Sequence, residues 1–269
     1  MIDKVEALMR EVAASAVLPR FQQLTEGEIQ YKGPADPVTA ADQEAEALLT
    51  AGLIALRPGS RVVGEEAVAA DPSLISVISE PGDVWVVDPL DGTANFASGL
   101  EPFAVMVALM RDGVVVASWI LDPVGGVAAV AERGGGAFLG GVRATVPTGH
   151  HGAHELRGWS STNYIPADLR AGVQSASRAV GEVLAGHNCA GYEYPAIVRD
   201  EQHFAFFWRT LPWDHAPGVL FVEEAGGVAW RLDGTQYLAA DHERAGLLVA
   251  QNQDVWNTVR TTLLADLPD

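Results

Sequence analysis

The sequence has little of three things: cysteine, positive charge and long apolar runs. One cysteine, Cys189, stands among 269 residues, which excludes an internal disulfide and a four-thiolate zinc site. Only 17 basic residues accompany 35 acidic ones, giving a formal net charge of -18. Nucleic acid and anionic membranes are therefore poor expected partners, although an acidic chain can still bind phosphate through metal ions.

No apolar run approaches the length of a membrane-spanning helix. The start of the chain, Met1 to Glu6, lacks the basic residues and apolar core of a secretory signal, so we expect a cytoplasmic protein. Fixed-period repeats and low-complexity tracts are missing too. What is present is a hydrophobic content of 48%, which is ample for the packed core of one large α/β unit or two subdomains.

The first half of the chain predicts two helices followed by strands. Apolar residues at helical spacing from Ile2 to about Phe21 predict an amphipathic helix, and residues 40–56 predict a second. Short strands at 61–63 and 84–87 each lead into an acidic cluster. Between 103 and 131, three apolar runs separated by glycine-containing turns are typical of antiparallel strands.

The second half alternates strands and helices. A stretch rich in glycine and histidine, Pro147 to His154, predicts the boundary between an N-terminal α+β subdomain (1–146) and a C-terminal α/β subdomain (147–269). The predicted strands lie around 158–160, 204–207, 228–230 and 247–250, and the predicted helices around 169–184, 216–225 and 255–264.

The most informative motif runs from Trp85 through Asp88-Pro89-Leu90-Asp91-Gly92-Thr93, where an apolar run ends in two carboxylates, a glycine and a hydroxyl. Asp88 and Asp91, three apart across a Pro-containing bend, can face one place, and hard cations such as Mg2+ prefer such oxygen ligands. Gly92 and Thr93 open a predicted helix whose free N–H groups favour phosphate. The alternative is that Asp-Pro and Asp-Gly are ordinary turn dipeptides.

Acidic residues occur at two further element ends. Glu65 and Glu66 follow the strand at 61–63, and Asp214 lies at the start of the helix predicted at 216–225. Each has a simpler explanation. The glutamates could be a solvated pair of charges, and Asp214 could have no role beyond capping its helix. Those explanations do not account for the joint occurrence of the three acidic segments.

Together these segments resemble the inositol monophosphatase family, which lies within the Mg2+-dependent, lithium-sensitive phosphatase superfamily, over nearly the whole chain. The matching segments, in the family's order, are Lys32 with Asp36-x-Val38-Thr39-x-x-Asp42, Gly64-Glu65-Glu66, Trp85 to Phe96, and Trp213-Asp214-x-Ala216. The resemblance implies a layered α-β-α-β-α fold, usually as a homodimer, and a metal-dependent phosphatase activity.

The resemblance also implies a set of metal ligands made of carboxylates and one carbonyl. They are Glu65, Asp88, the Leu90 carbonyl, Asp91 and Asp214. Asp88 would bridge two metals, and Glu65 would also serve a third, weaker position. The implied cofactor is Mg2+, two or three ions per site, with Mn2+ as a substitute.

Catalytic roles follow from the same resemblance. Glu65 and Thr93 would orient the attacking water, with Thr93 paired to Asp42, and the N–H groups of Gly92 and Thr93 would hold the phosphate. For Asp42 a capping interaction with Thr39 competes with this role, because one carboxylate cannot easily serve both fully.

Two departures from the family leave the substrate open. Members acting on myo-inositol monophosphates usually have a glutamate where this chain has Phe207, and the nearest cation is Arg209. The family's Gly-Thr-Ala substrate loop has no clear copy, the nearest segment being Cys189 to Tyr194. There Glu193 could contact a substrate hydroxyl or amine, Arg209 could meet a second anion, and Asp91 is a further candidate contact; alternatively, the segment is only a packed turn before a helix.

The sequence therefore predicts a Mg2+-dependent phosphomonoesterase for a small polar ester such as an inositol, histidinol or sugar phosphate. An alternative enzyme is a sugar bisphosphatase or a 3'-phosphonucleotide phosphatase. A different class is a non-catalytic protein that keeps the fold and binds metal or a partner. The presence of every implied carboxylate ligand together with Thr93 argues against that class.

Overall fold

The computed structural model describes residues 1–33 and 36–268. The helices are α1 (Ile2–Val12), α2 (Ala40–Leu56), α3 (Glu65–Ala70), α4 (Thr93–Ala97), α5 (Ala167–Ala176), α6 (Ala190–Val198), α7 (Pro212–Glu224) and α8 (Gln253–Thr262). The strands are β1 (Ile29–Gly33), β2 (Asp36–Thr39), β3 (Arg61–Gly64), β4 (Asp83–Asp91), β5 (Ala104–Arg111), β6 (Val114–Asp122), β7 (Val127–Glu132), β8 (Gly136–Leu139), β9 (Val142–Ala144), β10 (Arg157–Ser160), β11 (Glu182–Leu184), β12 (Phe204–Phe207), β13 (Val228–Trp230) and β14 (Leu247–Ala250). Within these ranges no helix is long and apolar enough to cross a membrane.

The described N-terminal half forms a seven-stranded sheet in the order β3-β4-β5-β6-β7-β8-β9, antiparallel except for the β3–β4 pair. Its central strands are nearly continuous apolar runs because both faces of the sheet are covered. On β5, Val105 and Val107 lie in the apolar cluster with α1 and α2, whereas Met106 and Ala108 lie in the cluster with α6 and α7. The alternation of side chains along a strand thus serves two cores.

The C-terminal half forms a five-stranded sheet in the order β11-β10-β12-β14-β13. Phe207 and Val249 join the core shared with α6 and α7, while Phe206 and Leu248 join the core with α5 and α8. The layers are therefore α1/α2, the large sheet, α6/α7, the smaller sheet and α5/α8, so the predicted α-β-α-β-α arrangement is confirmed.

A change of winding direction creates a crevice in the smaller sheet. Strand β10 lies between β11 and β12 and is parallel to both. The chain passes from β10 to β11 through α5 on the outer face, and from β11 to β12 through α6 on the inner face. The segments that leave β10 and β12 therefore part at their carboxyl ends, which is where open α/β sheets bind ligands.

Two predicted boundaries in the second half were wrong, and so was one of the two interpretations of the segment from Cys189 to Tyr194. The helix predicted at 169–184 ends at Ala176, and the chain then turns into strand β11. A Cβ on Gly181 would lie 2.4 Å from the carbonyl oxygen of His154, so this close crossing of two segments requires glycine. The segment from Cys189 to Tyr194 is not a packed turn before a helix, because α6 begins within it at Ala190. Helix α7 begins at Pro212, which places Asp214 in its first turn.

Candidate active site

A cavity of about 610 Å³ lies between the strand ends of the two sheets. The structure brings together here nearly all of the residues that the sequence predicted for metal, phosphate and substrate. The predicted residues that line it are Glu65, Asp88, Leu90, Asp91, Gly92, Thr93, Arg209 and Asp214. Asp42 lies directly behind Thr93, and Glu193 is the predicted residue that lies away from the lining.

A bulge at the end of β4 explains how two aspartates three residues apart share this cavity. In a regular strand they would face opposite sides of the sheet. Here Asp88 lies opposite Met106 of β5 and Asp91 opposite Ala104, so β4 contains one residue more than β5 over this interval. Pro89, which cannot donate a ladder hydrogen bond, lies within the bulge.

The carboxylates of the cavity repel one another. Asp88 is 2% exposed, and burial, followed by the charges of neighbouring carboxylates, raises the pKa of Asp88 and of Asp214 well above the usual range for aspartate. Burial also raises the pKa of Asp91 to about 6. The ionised cluster thus needs a compensating positive charge, which a proton or a cation can supply.

The donor set fits Mg2+, because it consists of carboxylate and carbonyl oxygens. Among the described residues, however, no three Asp, Glu, His or Cys side chains form a complete group poised for a metal. Two of the carboxylates are bound to other groups of the chain. Asp91 Oδ2 accepts a hydrogen bond from Gly191 N at 2.6 Å, and Lys32 Nζ lies 2.7 Å from Glu65 Oε1. Metal binding would require the carboxylates to shift from these partners.

Lys32 is a feature for which the sequence predicted no role. Its ammonium contacts Glu65 and, at 2.9 Å, Glu66. Burial opposes the charge of Lys32, but the two carboxylates outweigh it and raise the pKa of Lys32 above its ordinary value. The lysine is thus a positive charge placed against a predicted metal ligand.

Asp42 serves two partners at once. Its Oδ2 accepts hydrogen bonds from Thr39 N at 2.8 Å and from Thr39 Oγ1 at 2.5 Å, while its Oδ1 lies 3.0 Å from Thr93 Oγ1. Thr93 Oγ1 also lies 2.8 Å from the Leu90 carbonyl oxygen. The predicted competition between capping and the Thr93 pairing was therefore wrong, because each carboxylate oxygen takes one task. Burial raises the pKa of Asp42 to about 7.

Glu46 was missed by sequence reasoning. It follows Asp42 by one helical turn of α2, is 7% exposed, and accepts hydrogen bonds from Glu66 N and Ala67 N, each at 2.8 Å. It thereby fixes the start of α3, the helix that carries Glu65. The available signal was a second acidic residue on the face of α2 that also carries Ala45 and Leu49.

One side of the cavity is rich in aromatic side chains. Phe207, at the position of the usual glutamate, stacks on Tyr194 with 5.3 Å between ring centroids and meets Trp159 edge-on at 5.1 Å. The Arg209 guanidinium lies 4.4 Å from the centre of the Tyr164 ring. Arg209 is exposed and makes no ion pair within the described part of the chain.

Glu193 lies behind the wall of the cavity. It is 1% exposed; its Oε1 accepts from His187 N at 3.0 Å, and its Oε2 accepts from Gln202 Nε2 at 2.8 Å. His187 precedes the segment whose Gly191 N–H binds Asp91. This burial speaks against the predicted contact between Glu193 and a substrate, and it gives the carboxylate a place in holding the loop instead.

The layered fold thus places a cavity lined by carboxylates from separate segments between its two sheets. The sequence profile described as the inositol monophosphatase family matches residues 2–267. The chain belongs to this family of phosphatases, so both the predicted family and the predicted enzyme class are confirmed.

Individual relatives agree with this assignment. The chain is 32% identical to an inositol-1-monophosphatase of Mesorhizobium japonicum, over 93% of this chain and 90% of the relative. It is 30% identical to the Nus factor SuhB of Pseudomonas aeruginosa, over 95% and 93%. The solved structure of a Thermotoga maritima IMPase superposes with a TM-score of 0.83 at 22% identity, covering 98% of this chain and 97% of that one, which shows the shared fold.

Proposed function

We propose that this protein is a Mg2+-dependent phosphomonoesterase that hydrolyses a small polar phosphate ester. One observation carries the proposal: Glu65, Asp88, Asp91 and Asp214 reach a single cavity beside Thr93. Burial and mutual repulsion leave this cluster in need of positive charge. A cation-binding cluster next to a short helix start is suited to a phosphate group.

Each residue has a proposed task. Glu65, Asp88, the Leu90 carbonyl, Asp91 and Asp214 would hold two or three Mg2+ ions, or Mn2+ in their place. Bound Mg2+ would neutralise charge on the phosphate and lower the pKa of water at the site. Thr93 and Glu65 would orient the attacking water, and Asp42 holds the Thr93 hydroxyl in position. The N–H groups of Gly92 and Thr93 would bind phosphate oxygens.

The shape of the cavity bears on the alcohol that is released. Phe207 offers no hydrogen bond where inositol-specific members usually have a glutamate, so we expect a histidinol phosphate or sugar phosphate to be a better substrate than an inositol phosphate. The second candidate function is a bisphosphate phosphatase for a sugar bisphosphate or a 3'-phosphonucleotide. Arg209 favours it, because this exposed guanidinium at the cavity makes no ion pair among the described residues, although its charge partly offsets the rise in the pKa of Asp214.

A panel of these esters, with released phosphate measured with Mg2+ and after chelation, tests the proposal. We expect Mg2+-dependent turnover of at least one monoester. Arg209→Gln should lower the turnover of bisphosphates selectively if the second candidate is right. Arg143→Gln is the matched control, since Arg143 also lies over an aromatic ring but away from the cavity. Absence of Mg2+-dependent hydrolysis for every ester would refute the function.

Further properties belong to the same proposal. The division of the chain at residue 147 would put most metal ligands on the first subdomain and Asp214 on the second. We also propose a cytoplasmic homodimer that is sensitive to lithium, without nucleic acid or membrane partners. Sedimentation and inhibition by LiCl are the direct measurements.

A further inference from the structure

A second cavity, of about 520 Å³, adjoins the first. Trp159, Ser161, Asn163 and Asn188 line both cavities, so the two form neighbouring compartments along one wall. The second compartment lies at the carboxyl ends of the parallel strands β10 and β11, beside the crevice that separates the segments leaving β10 and β12. A group bound at the carboxylates could therefore extend past Trp159 into this space.

The chemistry of the second cavity differs from that of the first. Among the described residues, its lining contains no charged side chain. Its polar groups are hydroxyls and amides, including those of Thr162, Gln174 and Ser177, and its apolar part includes Leu184 and Leu263. An anionic group would lose hydration there without meeting a cation, so a second phosphate does not fit this compartment.

The cavity also presents a polar atom without a partner. The Ser160 hydroxyl is buried and has no hydrogen bond within the described residues, although Ser160 lines the cavity and is 8% exposed. Buried hydroxyls in folded proteins are normally paired. The oxygen itself is covered in this structure, so a ligand hydroxyl in the cavity would reach it only after a small shift of the cavity wall.

The wall between the compartments is held in place. A Cβ on Gly186 would lie 1.8 Å from the Trp159 indole nitrogen, so only glycine allows the ring its position. Asn188, which also lines both cavities, has a left-handed backbone with φ of 52°. Such conformations are uncommon outside glycine and cluster at binding and catalytic sites.

We infer that the second cavity binds an uncharged, polyhydroxylated unit of the substrate, so that the preferred ester carries a neutral sugar unit beyond its phosphorylated one. Sugar hydroxyls both donate and accept hydrogen bonds, which suits a lining of serine, threonine, asparagine and glutamine side chains. The apolar face of a sugar ring suits the Trp159 indole and the leucines. This inference rests on the proposed phosphatase function, because that function places the phosphate in the first cavity.

Matched esters test the inference. Glucose 1-phosphate and glucose 6-phosphate are compared with maltose 1-phosphate and trehalose 6-phosphate, which each add one neutral glucose. We expect kcat/KM to be at least about tenfold higher for the disaccharide ester in one pair. Ser177→Phe, which fills the cavity, and Ser160→Ala should bring that ratio towards one. Ser175→Ala, in the last turn of α5 and outside the lining, should leave the ratio unchanged.

A binding measurement separates this inference from the proposed function. Calorimetry of the metal-free protein with maltose should detect binding that Ser177→Phe abolishes, whether or not any ester is hydrolysed. Monoester hydrolysis with equal kcat/KM for both members of every pair, and no maltose binding, would overturn the inference and leave the function standing. The inference would also be overturned if kcat/KM were higher for adenosine 3'-phosphate than for glycerol phosphate, if Ser177→Phe removed that difference, and if disaccharide esters showed no such gain. The site would then select a planar base.

Discussion

The two neighbouring cavities share a wall but are built from different parts of the chain. The carboxylates of the acidic cavity come mainly from strand β4 of the large sheet and from helix α3, which follows β3, and Asp214 comes from α7. The neutral cavity is formed by β10, α5, β11 and the segments that join them. If the proposed roles of the cavities are right, the chemistry of the reaction and the choice of substrate depend largely on different segments and can change largely independently.

The largest expected effect comes from the acidic cavity. Asp91→Asn should lower kcat by about 10²–10³-fold or more for every ester alike, because it removes a charge that metal binding requires. The metal-free variant should unfold at an equal or higher denaturant concentration at pH 8, since one member of a repelling cluster is lost. Retained activity would remove Asp91 from the proposed metal ligands. A loss confined to one ester would contradict the proposal that the acidic cavity serves the reaction and the neutral cavity the choice of ester.

A smaller effect is expected at the pair behind the reaction centre. Thr93→Val removes the hydroxyl 3.0 Å from Asp42 Oδ1 and should lower kcat by roughly 10–100-fold with little change in KM. Asp42→Asn should also lower kcat. The double variant should lose less activity than the two single losses combined would give, because the two side chains act as a unit. Thr162→Val, in the neutral cavity, is the control and should leave kcat for monosaccharide esters within a few-fold. Additive losses would show that the hydrogen bond has no part in the reaction.

The smallest expected effect is on stability. Burial raises the pKa of Asp42 and of Glu46 to about 7, well above their values in an unfolded chain. The folded state therefore holds these protons more tightly, and the metal-free protein should lose stability as pH rises from about 5 to about 8.

Glu46→Gln should reduce this loss by about 2 kcal/mol, because glutamine cannot ionise. Urea unfolding at both pH values measures the difference. Glu44→Gln, on the exposed side of α2, is the matched control and should lose as much unfolding free energy between the two pH values as the parent protein does. If the unfolding free energy of Glu46→Gln depended on pH as strongly as that of the parent protein, Glu46 would not titrate in this range.

Much of the reaction centre was predictable from local patterns. Apolar runs that end in carboxylates indicated Glu65, Asp88 and Asp91, and the helix from Ala40 to Leu56 was predicted to its residue boundaries. These patterns are local, because strand ends and helix starts are decided by neighbouring residues. The order of the acidic segments then identified the family.

Other features depend on contacts between distant segments. Glu193 was predicted at the substrate, but hydrogen bonds from His187 and Gln202 hold it in the interior. The helix predicted through residue 184 ends at Ala176, and further along the chain Gly181 packs closely against the backbone of His154. Propensity gives no information about such crossings, since the partner lies far away in the chain.

The family could be identified from the sequence, because the acidic segments and their order are written in short stretches of the chain, and the layered fold and the candidate metal and phosphate residues followed from that resemblance. How the side chains of these residues are oriented and paired became known only from the folded structure. The bulge between Asp88 and Asp91, the two tasks of Asp42 and the neutral cavity beside the acidic one all arise where separate elements meet. Burial and pairing at such meetings depend on geometry that no local pattern specifies.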